Sequence, residues 1–259
     1  MRLAPKRIDL VVIIALYLLF ILPPVVFTTS PPLALNAFWF IIPAFYLIAR
    51  QKKNLHKIAL ATLFIGLLTL SMDFFLLHNH AWEPYRSNFS FHIFKASIEE
   101  VVWFFSHIFY ILVWYEHFLD DERVFRVSPR ILLLIIGSIT FFCFILLAVY
   151  LFPDASRIRY AYSIFGALTM IPVFTYFLLM RRPLFKKFLP LAVFFFLFAL
   201  GMEVRAIQFG LWSFQDTQNY FGLVTLFNAT FPIEELIFWM TLGPSVALAY
   251  YEFFADDSR

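Results

Sequence analysis

"KIALATLFIGLLTLSMDFFLLH", residues 57–78, decides the fold. After Lys57 it carries one charge, Asp73. As a helix it would span about 33 Å, enough to cross the hydrocarbon core of a bilayer. Comparable apolar runs lie at 8–27, 34–49, 98–118, 131–152, 159–180, 188–209 and 233–254. The second is the shortest and carries Pro43. The chain is 62% hydrophobic and 14% charged, with 37 phenylalanines among 259 residues. A soluble domain would carry about 25% charge. The runs do not alternate as outer-membrane barrel strands do. The expected fold class is therefore all-α: a polytopic membrane bundle of about eight transmembrane helices.

The basic residues set the orientation. Arg2, Lys6, Arg7, Arg50, Lys52, Lys53, Lys57, Arg123, Arg126, Arg130, Arg181, Arg182, Lys186, Lys187 and Arg259 fall on one side of an eight-span layout. Arg86, Lys95, Arg157 and Arg159 fall on the other, and Arg205 lies within a span. The positive-inside rule then places both termini in the cytoplasm, in a cytoplasmic-membrane protein. The N-terminus has a basic start and an apolar core but no small-x-small cleavage site, so it reads as an uncleaved span. Cys143 excludes an internal disulfide and reads as apolar filler.

The second half repeats the first. "LSMDFFLLHNHAW" (70–82) aligns with "LGMEVRAIQFGLW" (200–212) at an offset of 130. "SIEEVVWF" (97–104) aligns with "PIEELIFW" (232–239) at 135, and "YEHFLDD" (115–121) with "YEFFADD" (251–257) at 136. An even number of spans per copy gives both copies one orientation, hence a parallel repeat. The expected units are 1–125 and 126–259, four helices each, with their glutamate pairs at one depth.

Charges within spans are expensive and need an account. Asp73, Glu99, Glu100, Glu203, Arg205, Glu234 and Glu235 lie in or beside spans. Capping explains part of this. Pro232 suits a first helical position, and Ser97-Ile98-Glu99-Glu100 spells a capping box. Neighbouring residues on a helix point about 100° apart, so the second glutamate of each pair must face the bundle interior or water. Asp73 and Glu203 lie near helix ends and could reach the interface. Arg205 is expected to pair across to Glu234 or Glu235. His78 and His80 lack metal-ligand spacing and read as interfacial, and no metal site is expected. There is no phosphate-cradling loop, no nucleophile elbow and no dinucleotide fingerprint. The small positive charge is no sign of nucleic acid. The loop 210–231 is rich in aromatics and reads as an interfacial belt or a lid over the site.

Carboxylic acids among aromatic walls have a chemistry of their own. An acid kept protonated in an apolar site can protonate an isolated alkene. The carbocation formed is supported by aromatic faces, here Trp82, Trp103, Trp212, Trp239 and phenylalanines including Phe238. A second carboxylate takes a proton back. Proton-coupled transport fits the same acids but needs a polar path to both faces.

The pattern Asp…Trp…Pro-x-Glu-Glu-x-x-Phe, in two tandem copies, resembles the membrane lycopene cyclase domain, the non-flavin carotenoid cyclase type that is heterodimeric or fused. Here it reads Asp73…Trp82…Ser97-Ile98-Glu99-Glu100-Val101-Val102-Trp103 and Glu203…Trp212…Pro232-Ile233-Glu234-Glu235-Leu236-Ile237-Phe238. Ser97, Trp103 and Glu203 depart from the pattern. The resemblance implies a redox-neutral isomerisation that closes the ψ-ends of lycopene into β-type rings, with no cofactor. It implies a lipophilic polyene or prenyl substrate taken from the bilayer, with membrane lipids as neighbours. Glu99, Glu100, Glu234 and Glu235 become acid and base candidates, oriented by Asp73, Glu203 and Arg205. A related acid-driven hydration or double-bond migration on a prenyl chain is the alternative within enzymes.

Overall fold

A computed structural model describes residues 3–21, 31–50, 55–84, 87, 89, 91–93, 96–120, 130–180, 182–214 and 216–252. Arg2, Lys52, Lys53, Arg86, Lys95, Arg123, Arg126, Arg181 and Arg259, the 125/126 boundary and the end of the 251–257 match lie outside these residues. The chain is mostly helical. In order come α1 (Leu3–Ile21), α2 (Pro31–Asn36), a π-helical turn (Ala37–Ile41), α3 (Ile42–Arg50), α4 (Leu55–His78) and α5 (Ile98–Phe118). There follow α6 (Arg130–Leu151), α7 (Ala161–Met180), α8 (Arg182–Gln208), a second π-helical segment (Glu235–Leu242) and α9 (Gly243–Tyr250). Among the described residues, four stretches are long and apolar enough to cross a membrane: Leu33–Arg50, Leu55–His78, Ile98–Phe118 and Phe185–Gln208. Their outward faces keep large apolar side chains exposed, such as Phe45, Leu63, Val102 and Leu197. Hydrocarbon, not water, is the solvent such faces suit.

The helices are not the whole of it. Among the described residues, three two-stranded antiparallel pairings join the loops, which an all-helical expectation misses. β1 (Glu83–Pro84) pairs with β4 (Trp212–Ser213), so the loops after α4 and α8 meet. β2 (His92–Ile93) pairs with β3 (Ala96–Ser97), and β5 (Leu223–Leu226) with β6 (Ala229–Pro232). Pro232 therefore closes a strand and does not open a helix. The loop at 210–231 is ordered by this hairpin. Its turn places Phe227 and Asn228 in the left-handed region, at φ 50° and 63°.

The core is built from rings. Phe194, Phe195 and Phe198 on α8 project among Tyr17 of α1, Trp39 and Phe40 of the first π turn, and Tyr110 and Trp114 of α5. Trp114 stacks on Phe194 with centroids 4.7 Å apart, and Tyr17 donates to Tyr110 at 2.9 Å. Aromatic pairs of this kind add about 0.5–1.5 kcal/mol beyond area burial. They fix α8 against the first half of the chain.

One end of the bundle is closed by a reciprocal set of polar contacts. Tyr115 donates to Glu252, and Tyr251 donates to Glu116. Lys187 donates to Tyr115 at 2.9 Å and lies 3.8 Å from Glu252. Lys57 lies 3.9 Å from Glu116 and over the Tyr251 ring at 4.7 Å. Nearby, Asp9 accepts from Tyr46 and Arg50 at 2.8 Å each and contacts His117 at 3.0 Å. Buried charges persist only when paired in this way.

Candidate functional site

The site is assembled where α4 and α8 end. Both helices finish in the same turn. His80 and Gly210 adopt left-handed φ values of 55° and 63°. Ala81 N–H bonds back to Leu76 C=O, and Leu211 N–H to Ala206 C=O, both at 3.0 Å. His80 and Gly210 make the inner bonds to Leu77 and Ile207. These are Schellman motifs, which satisfy the last carbonyls and reverse the chain. The reversal folds the next tryptophan onto its own helix. Trp212 Nε1 donates to Glu203 Oε1 at 2.8 Å, and Trp82 is hydrogen-bonded to Asp73. Both acids are buried, at 3% exposure for Asp73 and 4% for Glu203, so neither reaches the interface. The two tryptophans then meet edge to face at 6.3 Å, locked by the β1–β4 pairing.

Between α4, α5, α7, α8 and the last helical segment lies a cavity of about 420 Å³. Asp73, Glu203 and Glu235 line it, with Trp82, Trp103, Trp212 and Trp239. Deeper walls are apolar, including Ile65, Ile108, Ile111 and Val173. Leu168 lines the cavity and is also 69% exposed, which marks a mouth on the flank of α7.

The glutamate pairs divide. Glu235 accepts from the hydroxyl of Tyr162 on α7. Glu234 accepts from Ser163 and from Phe221 N–H, and stands outside the cavity wall. Glu100 completes the predicted capping box: its carboxylate takes Ser97 N–H while Ser97 Oγ accepts from Glu100 N–H at 3.3 Å. Glu99 accepts from Ser87 at 3.0 Å. Neither Glu99 nor Glu100 lines the cavity, although Glu100 is close enough to Asp73 for their charges to interact.

Two residues stand apart from the arrangement expected of them. Arg205 donates to Gln208 at 3.0 Å and lies over Phe209; the described hydrogen bonds of Glu234 and Glu235 come from α7 and the 221 backbone. A residue near the end of α8 has its own next turn within reach. Phe238 packs with Met72, Met170 and Val246, against Gly166 of α7, where a Cβ would strike its ring. It anchors the last helix and does not line the cavity.

Two residues of the site had no sequence signal. Tyr162 lies 73 residues from its partner Glu235. His107 lines the cavity in an apolar run, its ring among Phe40, Trp103, Phe195 and Phe198, with a buried Nε2 that has no hydrogen-bond partner among the described residues. His78 bonds to Pro153 C=O and Ser156, and His80 lies 3.5 Å from Glu83. No cluster of metal-ligating side chains occurs among the described residues. The aromatic loop contributes Phe214 to the cavity wall. Tyr220 packs edge-on to Tyr162; burial first, then Asp216, Glu234 and Glu83, push its phenol above the usual range.

No family model, curated protein or solved structure matches this chain.

Proposed function

We propose that this chain is a membrane isoprenoid cyclase of the lycopene-cyclase kind, with eight spans in two parallel repeats and both termini in the cytoplasm. The repeat reading is supported by equivalent contacts at equivalent positions: the two Schellman turns, the two acid–tryptophan bonds and the reciprocal Tyr115–Glu252 and Tyr251–Glu116 pairs. The observation that carries the chemistry is the cavity, where three carboxyl groups and four indoles meet in walls that are otherwise mostly apolar, with His107, Thr69, Thr169, Tyr162 and Tyr250 as the other polar side chains. Such a site provides a proton, aromatic faces for a cation and few groups to quench it.

The reaction would begin with a proton passing from a carboxyl group to the terminal alkene. Its π pair forms the new C–H bond and leaves a tertiary cation. The neighbouring alkene closes the ring on that cation. Proton loss from the ring to a carboxylate restores the proton count, so substrate and product are isomers. The mouth beside Leu168 supports entry from the bilayer.

Expression in lycopene-accumulating cells tests the reading. Cyclised carotenoid of unchanged mass is expected. A product heavier by water would identify a hydratase. Unaltered lycopene beside folded, inserted protein would refute the substrate assignment.

A further inference from the structure

The two glutamate pairs correspond in sequence, but their side chains are used differently. This difference permits an assignment that the sequence leaves open. We propose that Glu235 alone among the four paired glutamates is the acid of the cavity, that Tyr162 is its positioning residue, and that the Glu99–Glu100 pair is architectural. The proposal rests on the reading of the cavity as an acid-initiated site.

Each of the other three glutamates has an oxygen engaged outside the cavity, and Glu100 Oε1 and Glu234 Oε2 are buried in protein. Glu100 is bent back to its helix start, where it holds Ser97 N–H. Glu99 holds Ser87, and its own carbonyl accepts from Asn36 at 2.9 Å. Glu234 takes two donors on one oxygen, Ser163 Oγ and Phe221 N–H, and its other oxygen is buried by protein. Glu235 is the one member that lines the cavity.

Its placement has a backbone cause. The segment Glu235–Leu242 is π-helical, and Thr241 Oγ1 bonds back five residues to Leu236 C=O at 2.6 Å. The wider turn brings residues four and five apart onto one face, and Glu235, Trp239 and Met240 line the cavity together. The corresponding turn of α5 is regular α-helix, opened by the capping box. Irregular π turns gather at functional sites because they re-aim side chains in this way.

Tyr162 fixes the direction of the acid. Its hydroxyl donates to Glu235 Oε1. Oε2 is thereby left as the oxygen that carries the proton to the alkene carbon; the C–H bond forms from the alkene pair and the O–H pair stays on Glu235. Tyr162 touches Trp239 at 6.2 Å between centroids, so the acid and one cation-supporting ring share a strut. Positions 32 and 33, at the offset of 130 from Tyr162 and Ser163, are Pro32 and Leu33 and offer no hydroxyl.

The test uses the whole chain in lipid vesicles with dicyclohexylcarbodiimide, an apolar reagent that modifies protonated carboxyl groups. Adducts are mapped by peptide mass spectrometry. In the wild type, Glu235 should be modified while Glu99, Glu100 and Glu234 are not. Tyr162→Phe should move the pH midpoint of Glu235 modification, whereas Ser163→Ala, which removes one of the two donors to Glu234, should leave it in place. In cells making cyclised product, Glu235→Gln should abolish it and Tyr162→Phe should lower it about tenfold, as loss of one strong hydrogen bond does. Modification of Glu100 or Glu234 to the extent of Glu235 overturns the assignment. So does a Tyr162→Phe protein with an unmoved midpoint. The wild-type adduct map needs no variant to fold, and it decides the acid even if lycopene proves to be the wrong substrate.

Discussion

Removing the indole N–H of Trp212 tests the construction of the site. Trp212→Phe keeps a ring in the wall but deprives buried Glu203 of its donor at 2.8 Å. A hydrogen bond to a charged group contributes roughly 1.5–3 kcal/mol in water-soluble proteins, and polar contacts inside membrane bundles average about 0.6, reaching about 1.7. Glu203 is buried beside a cavity, so a coupling of about 1.5 kcal/mol is expected. For a chain of this size that is a fall in Tm of about 3–6 °C. The substitution also removes ring volume, so the single variant is insufficient. Glu203→Leu, which has no acceptor, and the double variant complete a cycle, measured by thermal unfolding in detergent. The coupling should survive subtraction of the volume loss, which is common to both backgrounds. A cycle that closes within about 0.3 kcal/mol would sink the claim that this bond holds the wall together.

Other outcomes follow from the same contacts. Gly210→Ala should lower stability by about 1–2 kcal/mol, because φ is 63° there, while His80→Gly should raise it by up to about 1 kcal/mol; paired unfolding curves check both. Ser97→Ala should cost about 1 kcal/mol through the lost cap and leave carotenoid product unchanged, which separates capping from chemistry. Tyr115→Phe and Tyr251→Phe should lower Tm by similar amounts, with product per folded molecule unchanged, since both act at the end remote from the acids. Phe227→Gly should stabilise the hairpin, read as slower proteolysis at its tip.

The long helices were legible because uninterrupted apolar runs have few other readings. The capping box at Ser97 was equally legible, since its chemistry is local. The acid-to-tryptophan spacing was visible as a motif, but its meaning was not. It depends on a left-handed residue between them, and His80 does not announce one. Two-residue strands such as Glu83–Pro84 have no period to detect. Nothing in "ELIFWMTL" marks a π-helix, so the face that carries Glu235 could not be set from a 3.6-residue repeat. Pro232 invited a helix start, yet hairpin pairing with Leu223 claimed it first. Tyr162 and His107 become meaningful only through contacts made across the bundle.

The clasp of Tyr115, Glu252, Tyr251 and Glu116 has a mechanical consequence. It ties the last helix to α5 at the end opposite the acids, with Lys57 and Lys187 wedged beside it. The far ends of the same helices have separate anchors: Asn36 and Ser87 hold Glu99, while Ser163, Tyr162 and the 221 backbone hold Glu234 and Glu235. Any parting of α5 from the last helix would therefore pivot at the lysine end, as the arms of a pair of tongs do at their hinge. The two glutamate pairs sit at the tips of these arms, where a small rotation gives the largest travel.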